Sequence, residues 1–188
     1  MKLKDIATLQ LGYPFRGKVQ EADSSNVCVV QLKNVSRKNG IDIQQCSPVI
    51  LSGKKKPNYL QNDDILFVAR GSHNYAIIVD NIDTQPFRFV AMPHFFVIRV
   101  HDKKVLPSFL SWQINRLPIQ QYLQSHAVGS VVTSINRKTL ENMPVRIPPL
   151  EEQQHIVSVA DTLHRQRTIL QQLINNNENI MNGIAQKL

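Results

Sequence analysis

From Glu151 to Leu188 the chain contains no proline and one glycine, Gly183. A stretch of roughly 38 residues so free of breakers predicts one helix about 55 Å long. Glu151 and Glu152 fall in its first turn, where the positive end of the helix dipole favours them. Ile156, Leu163, Leu170, Asn177 and Ile184 recur at heptad spacing, and a second line carries Val159, Leu173 and Ile180 beside Ala160, Ile174 and Met181. Sustained over about four heptads, this pattern predicts a coiled-coil seam whose apolar face is completed by another helix. Gln166 and Arg167 interrupt the seam, Asn175, Asn176 and Asn177 are poor helix formers, and an Asn at a position such as Asn177 fixes register at a cost in stability. The competing reading is an ordinary amphipathic helix packed on its own domain.

What precedes this helix is long enough for one domain. The chain has 188 residues, 42% apolar and 19% charged, which allows a core and argues against general disorder. The longest apolar runs, such as Ile65-Leu66-Phe67-Val68-Ala69, reach five residues, against the roughly 20 a membrane helix needs. Met1-Lys2-Leu3-Lys4-Asp5 has no apolar run behind it, so no secretory signal and a cytoplasmic location are expected. Cys28 and Cys46 supply neither a disulfide framework nor a zinc site and read as two reduced thiols.

Charge is distributed unevenly. The chain has a net charge of +8, yet residues 151–188 carry −1, which leaves +9 on residues 1–150. That is the pattern of a polyanion-binding body with a separate appendage, or of a merely basic, soluble surface.

Short β-branched and aromatic runs fill the first hundred residues: Val27–Leu32, Ile65–Ala69, Ala76–Val79 and Phe95–Val100. Gly, Pro, Asn and Lys cluster between them, as in Gly12-Tyr13-Pro14 and Ser52-Gly53-Lys54-Lys55-Lys56-Pro57, so these are read as strands and turns. After Pro107 the pattern becomes helical. Ser108 is expected to cap a helix that runs through Ile114, breaks at Pro118 and resumes to Leu123, and Asn136 to cap a short helix over Arg137–Asn142. The expected class is α+β: a strand-rich globular domain with a few short helices, followed by one long C-terminal coiled-coil helix.

Catalytic signatures are sparse. No phosphate-cradling Gly-rich loop, His-Glu-x-x-His helix or Gly-x-Ser-x-Gly turn occurs in the sequence. Asp102-Lys103-Lys104 with Asp80 and Asp83 upstream loosely fits a metal-dependent nuclease, and a solvated turn explains it as well. Ile147-Pro148-Pro149-Leu150 resembles the strip that holds an adenine for methyl transfer but lacks its amide or acid and its stacking aromatic. No cofactor and no catalytic residue are assigned.

Binding chemistry remains. Arg16, Lys18, Lys33, Lys54, Lys55, Lys56, Arg70, Arg137 and Lys138 lie largely in expected loops, where they can neutralise phosphates and position a duplex. Ser72, His73, Asn74, Tyr75, Ser130 and Thr133 are polar or aromatic groups able to read base edges. For each of these a capped turn or solvated loop is the plainer explanation; the combination is what points to nucleic acid.

Laid out in order, the pieces resemble one half of a type I restriction–modification specificity subunit. Pro148-Pro149-Leu150-Glu151-Glu152-Gln153, running into the long helix, is similar to the family's Pro-Pro-Leu-x-Glu-Gln junction. Asp63-Asp64-Ile65-Leu66-Phe67 ahead of Arg70-Gly71-Ser72 resembles its Gly-Asp-Ile-Leu strand and turn, with Asp63 where the family has glycine. Pro107-x-Phe109-Leu110, Gln121-Tyr122-Leu123, Gly129-Ser130 ahead of Ile135, and the opening Leu3-x-x-Ile6-Ala7 and Gly12-Tyr13-Pro14-Phe15 fit as well.

The resemblance implies that residues 1–148 are a target-recognition domain for double-stranded DNA. Residues 149–188 would be a spacer helix that pairs with a second helix through Ile156, Leu163, Leu170, Leu173, Asn177, Ile180 and Ile184. The chain would be non-catalytic, directing methyltransferase subunits, and restriction subunits in a complete system, to a bipartite site. With one recognition domain and one helix, it would homodimerise through antiparallel helices. Two rivals stay open at this point: a coiled-coil scaffold with a non-specifically basic domain, and a nuclease using Asp80 or Asp83 with Asp102 and Lys104.

Overall fold

The computed structural model describes residues 1–129 and 133–186. In chain order the strands are β1 (Ala7–Leu11), β2 (Val27–Val30), β3 (Val35–Ser36), β4 (Gly40–Ile41), β5 (Ser47–Pro48) and β6 (Ile65–Val68). They continue with β7 (Arg70–Gly71), β8 (Ala76–Ile78), β9 (Arg88–Ala91), β10 (Phe95–Val100) and β11 (Thr133–Ser134). The α-helices are α1 (Pro107–Ile114), α2 (Leu117–His126), α3 (Arg137–Glu141) and α4 (Leu150–Ala185). The fold is α+β, strand-rich and ending in one long helix, as the sequence predicts.

A four-stranded antiparallel sheet in the order β1-β10-β6-β8 forms the centre. Its inner strands are apolar on both sides because both faces are covered. Ile65 and Phe67 of β6 point with Phe96 and Ile98 of β10 into a core closed by Leu110, Ile114, Leu123 and Leu140 of the helices. Leu66 and Val68 point with Phe95 and Val97 the other way, against Cys28, Val30 and Phe89 of the second sheet. Successive side chains of a strand alternate faces, so a continuous apolar run is what a sandwiched strand requires. The second sheet, β5-β2-β9, pairs β2 and β9 in parallel, Val27 with Arg88 through Val30 with Ala91. Both cysteines are buried here, and burial, with Cys28 and Asp42 nearby, pushes the Cys46 thiol up to about 12.

Three local details differ from the sequence reading or explain it. Leu106, not Ser108, is the N-cap of α1, because Pro107 takes the first helical position, where its fixed φ suits the helix and its missing N–H costs nothing. Pro118 does not interrupt a helix: α1 ends at Ile114, and α2 starts afresh with Pro118 in its first turn. Asp63 adopts φ +68°, the left-handed region that favours glycine, which accounts for glycine at this place in the resembled motif. The neighbouring Asp64 is 1% exposed. It accepts the Gln61 N–H at 2.9 Å and a two-pronged bond from Arg99 at 2.7 and 2.6 Å, closing the turn before β6.

The hydrogen bonds at the root of α4 converge on one side chain. Gln153 is completely buried. Its Oε1 accepts the Leu106 N–H at 2.9 Å, while its Nε2 donates to the carbonyls of Lys104 and Pro148, each at 2.8 Å. These bonds join the loop before α1, the proline junction and the first turn of α4. Beyond its first turns α4 leaves the domain, and its apolar stripe is uncovered: Leu163, Leu170, Leu173, Ile180 and Ile184 are each more than half exposed.

Two stability outcomes follow from this geometry. Gln153→Leu leaves the Leu106 N–H without its partner in a buried setting and should lower the urea-unfolding free energy by about 2–4 kcal/mol. Asp63→Gly relieves the left-handed backbone at an exposed site and should raise it by up to ~1 kcal/mol, whereas Asp63→Val should lower it.

Candidate nucleic-acid interface

Two basic loops are brought together and fixed by backbone contacts. The Tyr13 hydroxyl donates to the Gly53 carbonyl at 2.9 Å, and the Arg16 N–H to the Ser52 hydroxyl at 3.1 Å. Gly12 packs so closely that a Cβ would lie 2.0 Å from the Met92 carbonyl oxygen, so no other residue fits this crossing. The pairing brings together the two loops that carry Arg16, Lys18, Lys54, Lys55 and Lys56, all exposed. Among the described residues the only ion pairs are Arg99–Asp64 and Arg137–Glu141, so none of these five cations is matched by a carboxylate there.

A second group forms where β7 meets β11. Gly71 pairs with Thr133 and Arg70 with Ser134, joining segments more than sixty residues apart in the chain. Beside this ladder lies a cleft of about 330 Å³ lined by Ser72, His73, Asn74, Gln120, Leu123, Gln124, Ala127 and Gly129. Arg70, Ser72 and His73 are exposed, and the Ser72 hydroxyl and His73 Nδ1 lie 3.1 Å apart. Asn74 is placed differently: its amide donates to the carbonyls of Val68 at 2.9 Å and Ala69 at 3.2 Å, holding the turn after β6. Tyr75 is half-buried, its ring against the second core and its hydroxyl donating to the Val35 carbonyl at 3.4 Å. Ser130 lies outside the described residues. The Asn136 side chain caps α3, accepting the Thr139 N–H at 2.8 Å, as the sequence suggests.

The remaining cations are dispersed. Lys33 sits in a short 3-10 turn near Cys46. Arg137 pairs with Glu141 at 2.7 Å one turn along α3, beside the exposed Lys138. Arg37 and Lys38 line a different cleft, of about 590 Å³, between the domain and α4, together with Trp112, Asn115, Arg116, Ala160, Leu163, His164 and Arg167. Arg37 donates to the Asn115 carbonyl at 2.6 Å, and Arg116 lies over the Trp112 ring at 5.0 Å. Burial, with Arg37 and Arg167 nearby, pulls the Arg116 guanidinium below its ordinary range.

Gln120, Gln124 and Arg116 were not singled out from sequence. The i,i+4 spacing of the two glutamines, flanking the buried Leu123, marks one face of a helix and is the signal that could have found them. The nuclease residues do not converge. Asp80 lines the crevice beside α1 and α4, Asp102 lies by Pro148 and Pro149, and Asp83 accepts a bond from Asn62 at 2.6 Å. Among the described residues no three His, Cys, Asp or Glu side chains are grouped as a metal site, and no helix is long and apolar enough to cross a membrane.

Comparison with known proteins adds the family. Residues 1–179 match the model of the type I restriction modification DNA specificity domain. The chain is 27% identical over 145 residues to the StySPI type I restriction enzyme specificity subunit of Salmonella potsdam, across 73% of this chain and 30% of that one. Among solved structures, it superimposes with TM-score 0.65 and 17% identity on a chain from a study of complex assembly and conformational transition in the type I R-M system. That likeness covers 90% of this chain and 39% of that one. The HsdS subunit from Thermoanaerobacter tengcongensis gives TM-score 0.64 at 15% identity, over 92% and 38%. At these identities the structural likeness is one of fold. The matches therefore span about three tenths to two fifths of the length of these relatives.

Asn74 and His73 adjoin one another but differ in role. Asn74→Ala removes a donor from the Val68 and Ala69 carbonyls, the second of which keeps the Ile135 N–H, and should lower the thermal midpoint by the equivalent of about 1 kcal/mol. His73→Ala, at an exposed position, should leave it unchanged.

Proposed function

The chain belongs to the type I restriction modification DNA specificity domain family, and from that premise we propose that residues 1–148 recognise a short half-site in double-stranded DNA while residues 149–188 form the spacer and dimerisation helix. The observation that carries this reading is that one small domain presents two unlike surfaces. Exposed, unpaired Arg16, Lys18 and Lys54–Lys56 offer sequence-independent contacts to phosphates. The cleft at Ser72, His73 and Gln124 offers directional donors and acceptors at a scale suited to base edges, beside Gln120, whose Nε2 donates to the Ile114 carbonyl at 2.8 Å. A scaffold with a merely basic surface has no use for the second.

In this reading the chain performs no chemistry of its own. Methyltransferase subunits dock on it, supply methylation, and are directed by it to a bipartite site; restriction subunits join in a complete system. The bare stripe on α4 is filled by a second copy running antiparallel, which makes a two-fold dimer. Each recognition domain then meets the same half-site in inverted orientation, and the target is an interrupted palindrome.

Selection of bound duplexes from a random pool gives the half-site and its symmetry; recovery of no common sequence overturns the proposal. Salt dependence separates the two surfaces. Lys55→Ala should weaken binding to all duplexes alike and reduce the log–log salt slope by about one phosphate contact. Arg70→Ala or His73→Ala should change the preferred base while leaving that slope nearly as it is. Asn74→Ala, which loosens the turn under both, should broaden preference through the loop rather than through a lost base contact.

A further inference from the structure

The apolar stripe of α4 is palindromic. Outward from Gln171 and Gln172 it carries Leu170 in one direction and Leu173 in the other, then Gln166 and Asn177, then Leu163 and Ile180, then Val159 and Ile184. An antiparallel pair with its two-fold axis between Gln171 and Gln172 turns these into facing layers: Leu170 on Leu173, Leu163 on Ile180, Val159 on Ile184, and the amide of Gln166 on that of Asn177. Sliding one helix by a heptad in one direction sets Asn177 against Leu173 and Gln166 against Ile184. Sliding it the other way sets Asn177 against Val159 and Gln166 against Leu170. Either shift buries amides without partners, which is costly. The interruptions that spoil the stripe of a single helix are thus what fixes its pairing.

The cleft between the domain and the root of α4 agrees with this register. It is walled by Arg37, Trp112 and Arg116 on one side and by Ala160, Leu163 and Arg167 on the other. In the palindromic register the partner's stretch around Ile180 and Gly183 faces Leu163 and Ala160, at the mouth of this cleft. Neither Arg37, Arg116 nor Arg167 forms an ion pair among the described residues, and the last turn of α4 holds no basic residue. A helix end carries partial negative charge on its free carbonyls, so the carbonyl end of one α4 and the cations at the root of the other are complementary. A parallel pair forgoes this and brings two domains, each carrying the +9 of residues 1–150, to the same end.

We infer that a second copy of this chain docks in this one register, with the Gln166–Asn177 amide layer setting alignment and the tip of each α4 seated on the cationic cleft at the root of the other. This rests on the homodimer reading above and specifies its geometry.

Cysteine crosslinking tests it on the full chain, since the native Cys28 and Cys46 are buried and do not compete. Under mild oxidation, a mixture of Leu163→Cys and Ile180→Cys chains should form an interchain disulfide, while neither variant crosslinks to itself. The single tryptophan, Trp112, lies in the cleft, and its emission should shift as concentration drives dimerisation. Self-crosslinking of Leu163→Cys means a parallel pair and overturns the inference. A dimer by light scattering whose mixed cysteines fail to crosslink, or whose Trp112 emission stays constant, overturns the register or the seating and leaves the homodimer reading intact. A strict monomer at tens of micromolar overturns both.

Discussion

One buried amide ties the long helix to the domain by hydrogen bonds. Gln153 is the only polar side chain of α4 enclosed by the domain, and it satisfies three backbone groups from two separate segments. An amide can do this because it donates and accepts at once; a carboxylate or an ammonium in the same place would meet at least one group of its own kind. The consequence is directional as well as energetic. A long helix set on apolar contacts alone has no directional tie to its bed, whereas these three hydrogen bonds have defined geometry and tie the first turn of α4 to two other segments.

The domain is organised around the same economy of buried polarity. Among the described residues its one buried carboxylate, Asp64, is answered by the fork of Arg99 and by a backbone N–H, and the bond from Arg99 to the Tyr59 carbonyl ties the neighbouring loop to the turn. Asn115 works similarly at the edge of the central sheet: it exchanges bonds with both backbone groups of Ala76 and so covers an edge that would otherwise be open to pairing. Surfaces that face outward are arranged the opposite way: among the described residues the cations at the paired loops and at the root of α4 have no carboxylate partner.

The elements were legible where periodicity was strong. β6 and β10 read as sandwiched strands because four or five apolar residues in a row admit few other solutions, and the uninterrupted run after Pro149 could only be a long helix. The position of Asp63 could be read from the resembled glycine, though its φ could not. Other features needed three dimensions. Nothing local marks Gln153 as buried, since its partners lie up to 49 residues away. Asn74 and Tyr75 look like readers of bases because they are polar in a turn; their hydrogen bonds and packing inside the domain depend on where β6 and β3 lie. The pairing of β7 with β11 gathers the cleft from distant segments, and so Gln120 and Gln124 stayed hidden although Ser72 and His73 did not.

The beginning of the chain is stitched to the residues just ahead of α4: the Leu3 N–H donates to the Met143 carbonyl at 3.0 Å, and the Val145 N–H to that of Met1 at 3.0 Å. The domain is therefore entered and left through one doorway. A unit wired in this way can be grafted into a longer polypeptide as a cassette, with the incoming and outgoing segments side by side and no crossing strand to reroute. Such a layout leaves both connections of the domain at one place on its surface, so a neighbouring segment on either side would join it there.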